Sequence, residues 1–163
     1  MARGGYLFHP LGVADLPMVQ QWLAMPHVVE WWGNPDEQFE LVSGDLKDPA
    51  MEQFIVAIDG GRFGYLQCYD LRAWPDAAFA PQPDGTRAID QFIGRPDMID
   101  RGHGSGFIRS FVTQLLLTGT PRVITDPHPG NSRAIRAYEK AGFFRDRIVD
   151  TSDGPAFLMV RGA

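Results

Sequence analysis

The sequence predicts an α+β fold built around one mixed, largely antiparallel sheet. A β-hairpin is indicated where two apolar segments, residues 54–58 and 62–69, flank the turn sequence DGG. An amphipathic helix is indicated from residue 108 onward, because apolar residues recur there at i, i+3, i+4, i+7 and i+8. Two late apolar segments, 143–149 and 156–160, are joined by the turn sequence TSDG and predict two further strands.

The N-terminal part of the chain is predicted to hold one strand and two helices. Asn34 is a good N-cap residue, Pro35 suits the first helical position, and Glu37 three residues after the cap strengthens the start signal. The other helix starts at Asp15, with Pro17 in its first turn. The predicted elements here are a strand over 6–11, a helix from Asp15 through Ala24, an interruption over 28–35 and a helix from Asn34 to about Leu46.

The remainder of the chain alternates between helices, strands and one long loop. Residues 70–87 contain three prolines and no clear period, so they predict a loop or flap that is too long for a simple connector. Asn131 caps the last predicted helix and Gly142 ends it. The predicted elements are a strand over 88–94, the helix after the glycines, a strand over 122–125, a helix over 132–141 and the two late strands, in the overall order β-α-α-β-β-β-α-β-α-β-β.

Composition favours one globular domain over residues 1–163, with no second domain. No apolar stretch approaches the roughly 18 residues that span a bilayer, and the N-terminus lacks the apolar region of a secretory signal, so no membrane partner is expected. Cys68 is the single cysteine, which excludes an internal disulfide and favours the reducing cytoplasm. The four histidines show no paired spacing typical of metal ligands, so no metal is expected.

Charge is distributed unevenly along the chain. The net charge of −5 argues against general nucleic-acid binding. Residues 1–100 carry a net charge of −9, whereas residues 101–163 carry +4. This pattern fits solvated surface, and it also fits one site with two sides, in which the second part holds an anion and the first part a cation.

Three alternating glycines, Gly102, Gly104 and Gly106, precede the helix that is indicated from residue 108. Glycines before a helix let the backbone curl so that several N–H groups face one concavity, which suits a phosphate, and Arg101 adds a fixed positive charge. The stretch lacks both the Gly-Lys-Ser/Thr of a P-loop and the G-x-G-x-x-G of a dinucleotide fingerprint. A phosphate cradle and a flexible glycine connector both stay open as interpretations.

A second cluster follows the predicted strand over 122–125. Asn131 and Tyr138 are seven residues apart, about two helical turns, so they share one helix face. Basic residues make this helix positively charged, and Tyr138 also fits an ordinary core position. The basic residues are Arg133, Arg136 and Lys140.

Together, the segments RGHGSG (101–106) and NSRAIRAYEKAGF (131–143) resemble the acyl-CoA-binding motifs of the GNAT acetyltransferase superfamily. The resemblance runs across the whole chain and is closest to the aminoglycoside 6′-N-acetyltransferases, whose matching segments come in the same order. It implies a single-domain GNAT fold that uses acetyl-CoA as co-substrate. The further matching segments are HVVEWWG (27–33), GYLQCY (64–69), AIDQFIG (88–94), TDPHPGNSRAIRAYEKAGF (125–143) and DGPAFLMV (153–160).

The resemblance implies which residues hold coenzyme A. Main-chain groups of Phe92 and Ile93 would pair with the pantetheine arm like an added strand, and Asn131 would hydrogen-bond to the arm from the next helix. Tyr138 would lie near the sulfur, where its hydroxyl can hydrogen-bond to the leaving thiolate or protonate it. The residues implied to bind the pyrophosphate through backbone N–H groups are Arg101, Gly102, His103, Gly104, Ser105 and Gly106.

The resemblance also implies the acceptor side of the site. Asp90 would act as general base or orient the amine, because an ammonium must lose a proton before it can attack a thioester. Asp90 also fits a buried, hydrogen-bonded polar residue, and the adjacent tryptophans fit packing as well as stacking on sugar rings. The acceptor pocket would be lined by Trp31 or Trp32, Gln67 and Asp126, with Asp153 as a further candidate.

The expected function is direct transfer of acetyl from acetyl-CoA to a primary amine, with an aminoglycoside-like aminosugar as the leading acceptor and a cytoplasmic monomer or homodimer as the enzyme. Within this long loop, residues 72–87 offer Trp74, Asp76 and Asp84 beside two arginines, fewer carboxylates than a polycationic acceptor prefers. Acylation of a siderophore intermediate or of a peptide N-terminal amine therefore stays open, as does a non-catalytic acyl-CoA sensor.

Overall fold

The computed structural model describes residues 5–162, so residues 1–4 and 163 of the expected domain lie outside the described part of the chain. Among the described residues, no helix has the length and apolar character needed to cross a membrane. The strands are β1 (Tyr6–Pro10), β2 (Met51–Ile58), β3 (Gly61–Asp70), β4 (Arg87–Ile93), β5 (Arg122–Thr125), β6 (Phe144–Thr151) and β7 (Gly154–Gly162). The α-helices are α1 (Leu16–Leu23), α2 (Pro26–Trp32), α3 (Pro35–Asp45), α4 (His103–Leu117) and α5 (Ser132–Lys140).

These strands form one sheet in the order β1-β2-β3-β4-β5-β7-β6. β1 pairs with β2, β5 with β7, and β6 with β7 in antiparallel register, whereas β4 and β5 run parallel. The parallel pair joins Arg87 with Val123 and Ala88 with Ile124, and β4 continues beyond these pairs. The predicted α+β fold with a mixed, largely antiparallel sheet is confirmed.

The chain divides into two compact units. The first unit comprises Met1–Gln67 and Gln91–Arg101, and the second comprises Cys68–Asp90 and Gly102–Ala163. Each unit contains its own apolar cluster. The expectation of one domain over residues 1–163 stays a prediction.

The apolar cluster of the first unit joins side chains of α1, α2 and α3 to side chains of β2, β3 and the end of β4. Removing such side chains from water stabilises the fold by roughly 1.5–3 kcal/mol each. Gly94 follows β4 and lies against the ring of Trp22, so a Cβ atom at this position would overlap the indole. The buried members of the cluster are Leu11, Val19, Trp22, Leu23, Val28, Val42, Ile55, Tyr65 and Phe92.

The second unit contains a smaller apolar cluster and two helices, α4 and α5, that contact each other. Arg161 of β7 contacts both helix regions. Its guanidinium donates to the hydroxyl of Thr113 in α4 and to the carbonyl of Ala141 at the end of α5, each at 3.0 Å. The buried members of this cluster are Phe79, Ala88, Ile124, Val149, Ala156 and Leu158.

Local sequence signals set several element ends as predicted. Asn34 caps α3, because its Oδ1 accepts hydrogen bonds from the N–H groups of Asp36 and Glu37 at 3.0 Å each. Gly142 ends the α5 region with a φ of 100°, a left-handed conformation that favours glycine. The predicted hairpin strands are present as neighbours β2 and β3.

The predicted interruption over residues 28–35 is wrong, because Pro26–Trp32 form α2. Pro26 lies in the first turn, where the fixed φ of proline suits a helix start. Buried Val28 holds this short helix against the first unit's core, and Gly33 ends it with a φ of 89°. The segment is too short to display a helical period, so tertiary packing decides its conformation.

Asp15 stands at the predicted start of α1, but its side chain does not cap the helix. One carboxylate oxygen accepts from the N–H of Gly12 at 2.9 Å, and the other pairs with Arg62 at 2.9 Å. A 3₁₀ turn over Val13–Asp15 leads into α1 instead. The predicted position of the helix start is confirmed, but the helix follows a 3₁₀ turn and is not capped by the Asp15 side chain.

Candidate active site

The glycine stretch lies mostly inside α4 rather than before it. The helix begins at His103, so the expectation that Gly104 and Gly106 precede the helix is wrong. Gly102 occupies the N-cap with a φ of 81°, a left-handed conformation that favours glycine. The helix starts at once because the carbonyl of Gly102 accepts the N–H of Gly106 at 3.0 Å.

The first turn of α4 is able to bind an anion. The leading N–H groups of a helix have no partner within it and point out of its N-terminal end, where the helix dipole is positive. Ser105 donates its hydroxyl to the carbonyl of Gly102 at 3.2 Å, a contact within this first turn. Arg101 is exposed beside this turn in the sequence and supplies a positive charge.

The α5 motif has the predicted cap. Oδ1 of Asn131 accepts from the N–H of Ala134 at 3.2 Å, so the amide nitrogen of Asn131 is the group that a ligand meets as a donor. Tyr138 is buried and packs edge-on against Phe143, with ring centres 5.5 Å apart. The core position that Tyr138 fits in the sequence is therefore observed, and its predicted place near the sulfur stays a prediction.

Two aspartates lie in matching positions beside the parallel strand pairing. Ala88 of β4 pairs with Ile124 of β5, so Asp90, which lies within β4, and Asp126, which directly follows β5, are each two residues beyond this pair. At this point the buried hydroxyl of Thr125 donates to the carbonyl of Ile89 at 3.1 Å. The strand register thus brings both carboxylates to one place.

Asp126 is the centre of an acidic cluster, which we define as Asp76, Asp90, Asp126 and Asp153. Burial, as the largest cause, and the negative charges of Asp90, Asp76 and Asp153, in that order, together raise the pKa of Asp126 to about 8. A cation placed among these groups would reduce the repulsion between their negative charges. The cluster is therefore suited to bind ammonium groups.

Tyr69 of β3 faces the same cluster and carries a neutral phenol. Burial raises its pKa first, and the charges of Asp90, Asp126 and Asp76 raise it further. Its ring meets Trp74 edge-on, with centres 5.3 Å apart. Tyr69 can thus offer an O–H donor among groups that only accept when ionised.

The long loop between β3 and β4 is held by specific contacts. Asp76 accepts the N–H of Ala78 at 2.9 Å and so caps a 3₁₀ turn that ends with buried Phe79, a member of the second unit's cluster. Arg147 donates to the carbonyl of Ala80 at 2.8 Å. The loop lines an open pocket of about 180 Å³ whose lining includes Asp70, Arg72, Asp76 and Asp84.

The two adjacent tryptophans have different environments in the first unit. Trp32 is half-buried, and its ring meets Phe92 edge-on at 5.1 Å and Tyr65 at 6.2 Å. Trp31 is 39 % exposed on α2. Packing therefore accounts for Trp32, while Trp31 is the more exposed of the two tryptophans.

The end of β4 is braced from α2. Nε2 of His27 donates to the carbonyl of Ile93 at 2.7 Å, and the N–H of Gly94 donates to the carbonyl of Phe63 at 2.7 Å. The side chain of Phe92 is buried in the first unit's cluster. Phe92 and Ile93 thus lie on fixed backbone, as a main-chain binding role requires.

A family model described as an acetyltransferase (GNAT) domain matches residues 12–151. This span contains the α4 turn, the four aspartates except Asp153, and the α5 motif. The chain belongs to the GNAT acetyltransferase family. It is thus an acetyltransferase, and the resemblance of its motifs to this family is confirmed.

Similar GNAT proteins are known by sequence and by structure. The aminoglycoside N(6′)-acetyltransferase type 1 of Klebsiella pneumoniae is 37 % identical over 158 residues, which cover 90 % of this chain and 78 % of that protein. The solved structure of AAC(6′)-Ib with paromomycin and acetyl-CoA is 34 % identical, with a TM-score of 0.86, and the match covers 97 % of this chain and 93 % of that one. The complex of AAC(6′)-Ib with coenzyme A and kanamycin is 34 % identical with a TM-score of 0.85, over 96 % and 94 % of the two chains.

In this GNAT protein, the acidic cluster holds the predicted residues Asp90, Asp126 and Asp153 as electrostatic neighbours. Two residues of this region were not predicted from the sequence: Tyr69 as a neighbour of the acidic cluster, and His27 as the hydrogen-bond donor to the end of β4. Tyr69 lies two residues after Gln67 on the same strand, so strand alternation was the signal that could have found it. No comparable signal marks His27, since the helix that carries it was not predicted. Within residues 5–162, no three His, Cys, Asp or Glu side chains converge as metal ligands would.

Proposed function

We propose that this acetyltransferase moves an acetyl group from acetyl-CoA directly to a primary amine of an aminoglycoside-like aminosugar. The observation that carries the proposal is the acidic cluster, in which Asp126 is buried among three further carboxylates. Relatives that cover most of this chain support the acceptor class, since AAC(6′)-Ib has been solved with paromomycin and with kanamycin.

Coenzyme A would be held mainly by backbone groups. The pyrophosphate would meet the first turn of α4, where Gly102, His103, Gly104, Ser105 and Gly106 follow the cationic Arg101. The pantetheine arm would pair with the main chain of Phe92 and Ile93 and accept a hydrogen bond from the amide nitrogen of Asn131. The solved relatives with acetyl-CoA and coenzyme A support this co-substrate.

The acceptor amines would be bound by carboxylates. Asp90, Asp126 and Asp153, joined by Asp76 from the long loop, suit the ammonium groups of a polycation. The exposed ring of Trp31 is the better of the two tryptophans for stacking on a sugar. This arrangement adds Asp76 to the set that the sequence predicts.

The chemistry needs one proton acceptor and one proton donor. Asp90 would take a proton from the substrate ammonium, and the neutral nitrogen would then attack the thioester carbonyl carbon. A backbone N–H near Phe92 would stabilise the oxyanion. When the C–S bond breaks, the electron pair goes to sulfur, and the hydroxyl of Tyr138 would supply its proton. The second proton that the nitrogen loses as the amide forms would restore the Tyr138 hydroxyl. Cys68 is buried, and direct transfer requires no covalent enzyme intermediate.

The test is thiol release from acetyl-CoA with kanamycin, spermine, a hydroxylamine and a short peptide as separate acceptors. We expect kanamycin to be turned over with the highest kcat/KM. Preferred turnover of the hydroxylamine or the peptide would replace the proposed acceptor by a siderophore-like intermediate or an N-terminal amine. Binding of coenzyme A without turnover of any acceptor would favour a sensor.

A further inference from the structure

The long loop between β3 and β4 carries Asp76, so the position of this loop decides whether a fourth carboxylate joins the acidic cluster. Asp76 is the N-cap of the 3₁₀ turn Ala77–Phe79, and its Oδ1 accepts the N–H of Ala78 at 2.9 Å. This bond fixes the carboxylate to the turn. Any displacement of the turn therefore moves the carboxylate as well.

The turn packs on the sheet face that carries the acidic cluster. Phe79 is buried in one apolar cluster with Ala88 of β4 and Ile124 of β5. Asp90 lies two residues after Ala88 on the same strand and so faces the same side of the sheet. Apolar contact is not directional, so Phe79 holds the turn against this face without setting its orientation.

Arg147 of β6 provides the directional contact. Its Nη2 donates to the carbonyl of Ala80 at 2.8 Å and lies 3.5 Å from the carbonyl of Ala78. A carboxylate thus caps the start of the 3₁₀ turn, and a guanidinium binds carbonyl groups at its end. The two contacts together define where the turn lies and how it is oriented.

The register of β6 and β7 explains why Arg147 reaches the turn. Arg147 pairs with Leu158, and Val149 pairs with Ala156, so Arg147 lies on the face that carries these three buried apolar residues. A β-bulge between Arg145 and Arg147 precedes this pairing. A bulge shifts the direction of the side chains on its strand, which lets Arg147 project over the cluster toward the loop.

The loop has a second connection to the sheet through Gln82. Nε2 of Gln82 donates to the carbonyl of Phe79 at 2.8 Å, and Oε1 of Gln82 accepts from Arg122 of β5 at 3.1 Å. Gln82 is itself a loop residue, whereas Arg147 belongs to a sheet strand and donates to the turn directly. Loss of Arg147 should therefore shift the turn without releasing the whole loop.

We propose that Arg147 is a positioning residue for acceptor binding, which holds the 3₁₀ turn so that Asp76 stands beside Asp126 and meets an ammonium group of the acceptor. The inference rests on the proposed function and deepens it, because it assigns part of the affinity for polycationic acceptors to a residue outside the acidic cluster. Its effect has the opposite sign to that of charge alone. Removal of a cation near carboxylates strengthens the binding of an ammonium, whereas displacement of Asp76 weakens it.

The decisive variant is Arg147→Met, which keeps an apolar stem and removes the donors. We expect the KM for kanamycin to rise about 5-fold, on the scale of a lost hydrogen bond to a charged group. The kcat should stay within about 2-fold of wild type, because Asp90, the expected base, is not on the loop. An unchanged or lower KM overturns the proposal.

Arg145→Met is the matched control. It removes the same charge two positions earlier, from a guanidinium that pairs with Glu139 of α5 at 3.0 Å. We expect its KM for kanamycin to stay within about 2-fold of wild type, as for surface ion pairs of small energetic effect. A rise equal to that of Arg147→Met would show a general charge effect and overturn the proposal.

A double-mutant cycle with Asp76→Asn separates positioning from a merely structural role. Asparagine is also a good cap, so this variant keeps the turn and removes the charge. If Arg147 acts through Asp76, Arg147→Met changes the KM by less than about 2-fold in the Asp76→Asn background. Equal effects in both backgrounds overturn the positioning assignment. If urea unfolding shows that Arg147→Met does not fold, Arg147→Lys, which replaces the planar fork by one ammonium group, enters the same cycle and the same outcomes decide.

The failure of this inference is distinguishable from failure of the proposed function. Wild-type protein that turns over no aminoglycoside overturns the proposed function itself. An active wild type with an unaltered Arg147→Met variant overturns the role of Arg147 alone.

Discussion

At the scale of single residues, Asp126 combines burial with three neighbouring negative charges, and all of them oppose its ionisation. With a pKa of about 8, its carboxyl group is largely protonated at neutral pH. An ammonium bound beside it would reverse this balance, because the new positive charge favours the ionised form. The residue can therefore change its protonation state as the site fills.

The raised pKa of Asp126 predicts a pH-dependent stability. The group is raised from 3.8 to about 8 on folding, so its contribution to stability is complete below about pH 4 and is lost as pH rises to about 8. Asp126→Asn removes the ionisable carboxyl group, so the variant does not lose this stability as pH rises. The variant should gain stability relative to wild type as pH rises from about 4 to about 8, by up to several kcal/mol in urea unfolding, since each pKa unit corresponds to about 1.4 kcal/mol. A stability difference that stays constant across this pH range would contradict ionisation of Asp126 as its cause, and Asp150→Asn, exposed on β6, is the control.

Asp90 is predicted to act in the chemical step. Asp90→Asn keeps the size of the side chain and removes the proton acceptor, so kcat should fall by more than about 10-fold while the affinity for coenzyme A changes little. Steady-state kinetics and calorimetric binding of coenzyme A measure the two effects separately. An unchanged kcat would remove Asp90 from its role as base.

Residue-level roles were only partly accessible to sequence reasoning. The positions Asp90 and Asp126 were found because they match family segments, and the strand register accounts for their proximity. The pKa of Asp126 depends also on Asp76 and Asp153, which come from a loop and a distant turn. The spacing of residues along the chain does not show that these separate segments lie close together in the fold.

At the scale of elements, the first turn of α4 is the feature on which cofactor binding depends. Gly104→Phe places a large side chain in that turn and should weaken the binding of coenzyme A at least about 10-fold, since the phosphate then cannot approach the N–H groups. Gly44→Phe is the matched control, because Gly44 lies in α3 with nothing within 4 Å of a Cβ atom. Calorimetry with coenzyme A compares the two, and equal affinities would refute the cradle.

Elements with strong local signals were predictable, and those fixed by packing were not. Asn34 and Pro35 specify the start of α3 by hydrogen bonding and by a preset φ, both of which are local properties. Helix α2 has only seven residues and depends on the burial of Val28. The start of α4 was also predicted in the wrong place. The conformational freedom of the glycine backbone suggests a loop at Gly104 and Gly106, but both residues lie within the helix.

At the scale of the whole molecule, the net charge of −5 combines an acidic N-terminal part and a basic C-terminal part. A polyanionic cofactor and a polycationic acceptor would both gain from such a division. The KM values for acetyl-CoA and for kanamycin should therefore both rise several-fold between about 50 mM and about 500 mM salt. Initial-rate kinetics at fixed pH test this, and a KM that is independent of salt for either substrate would contradict the charge assignment.

The fold class was predictable because the order of the predicted strands and helices, the hairpin signal and the helical periodicity all indicate an α+β fold. The family match adds the strand topology. Gly94 shows what such agreement leaves out. Its lack of a side chain is what allows the indole of Trp22 to rest on the backbone just beyond β4. In a library of all single substitutions, Gly94 should tolerate none, whereas Gly44 should accept most. At this position even the methyl group of an alanine would have to displace the ring of Trp22.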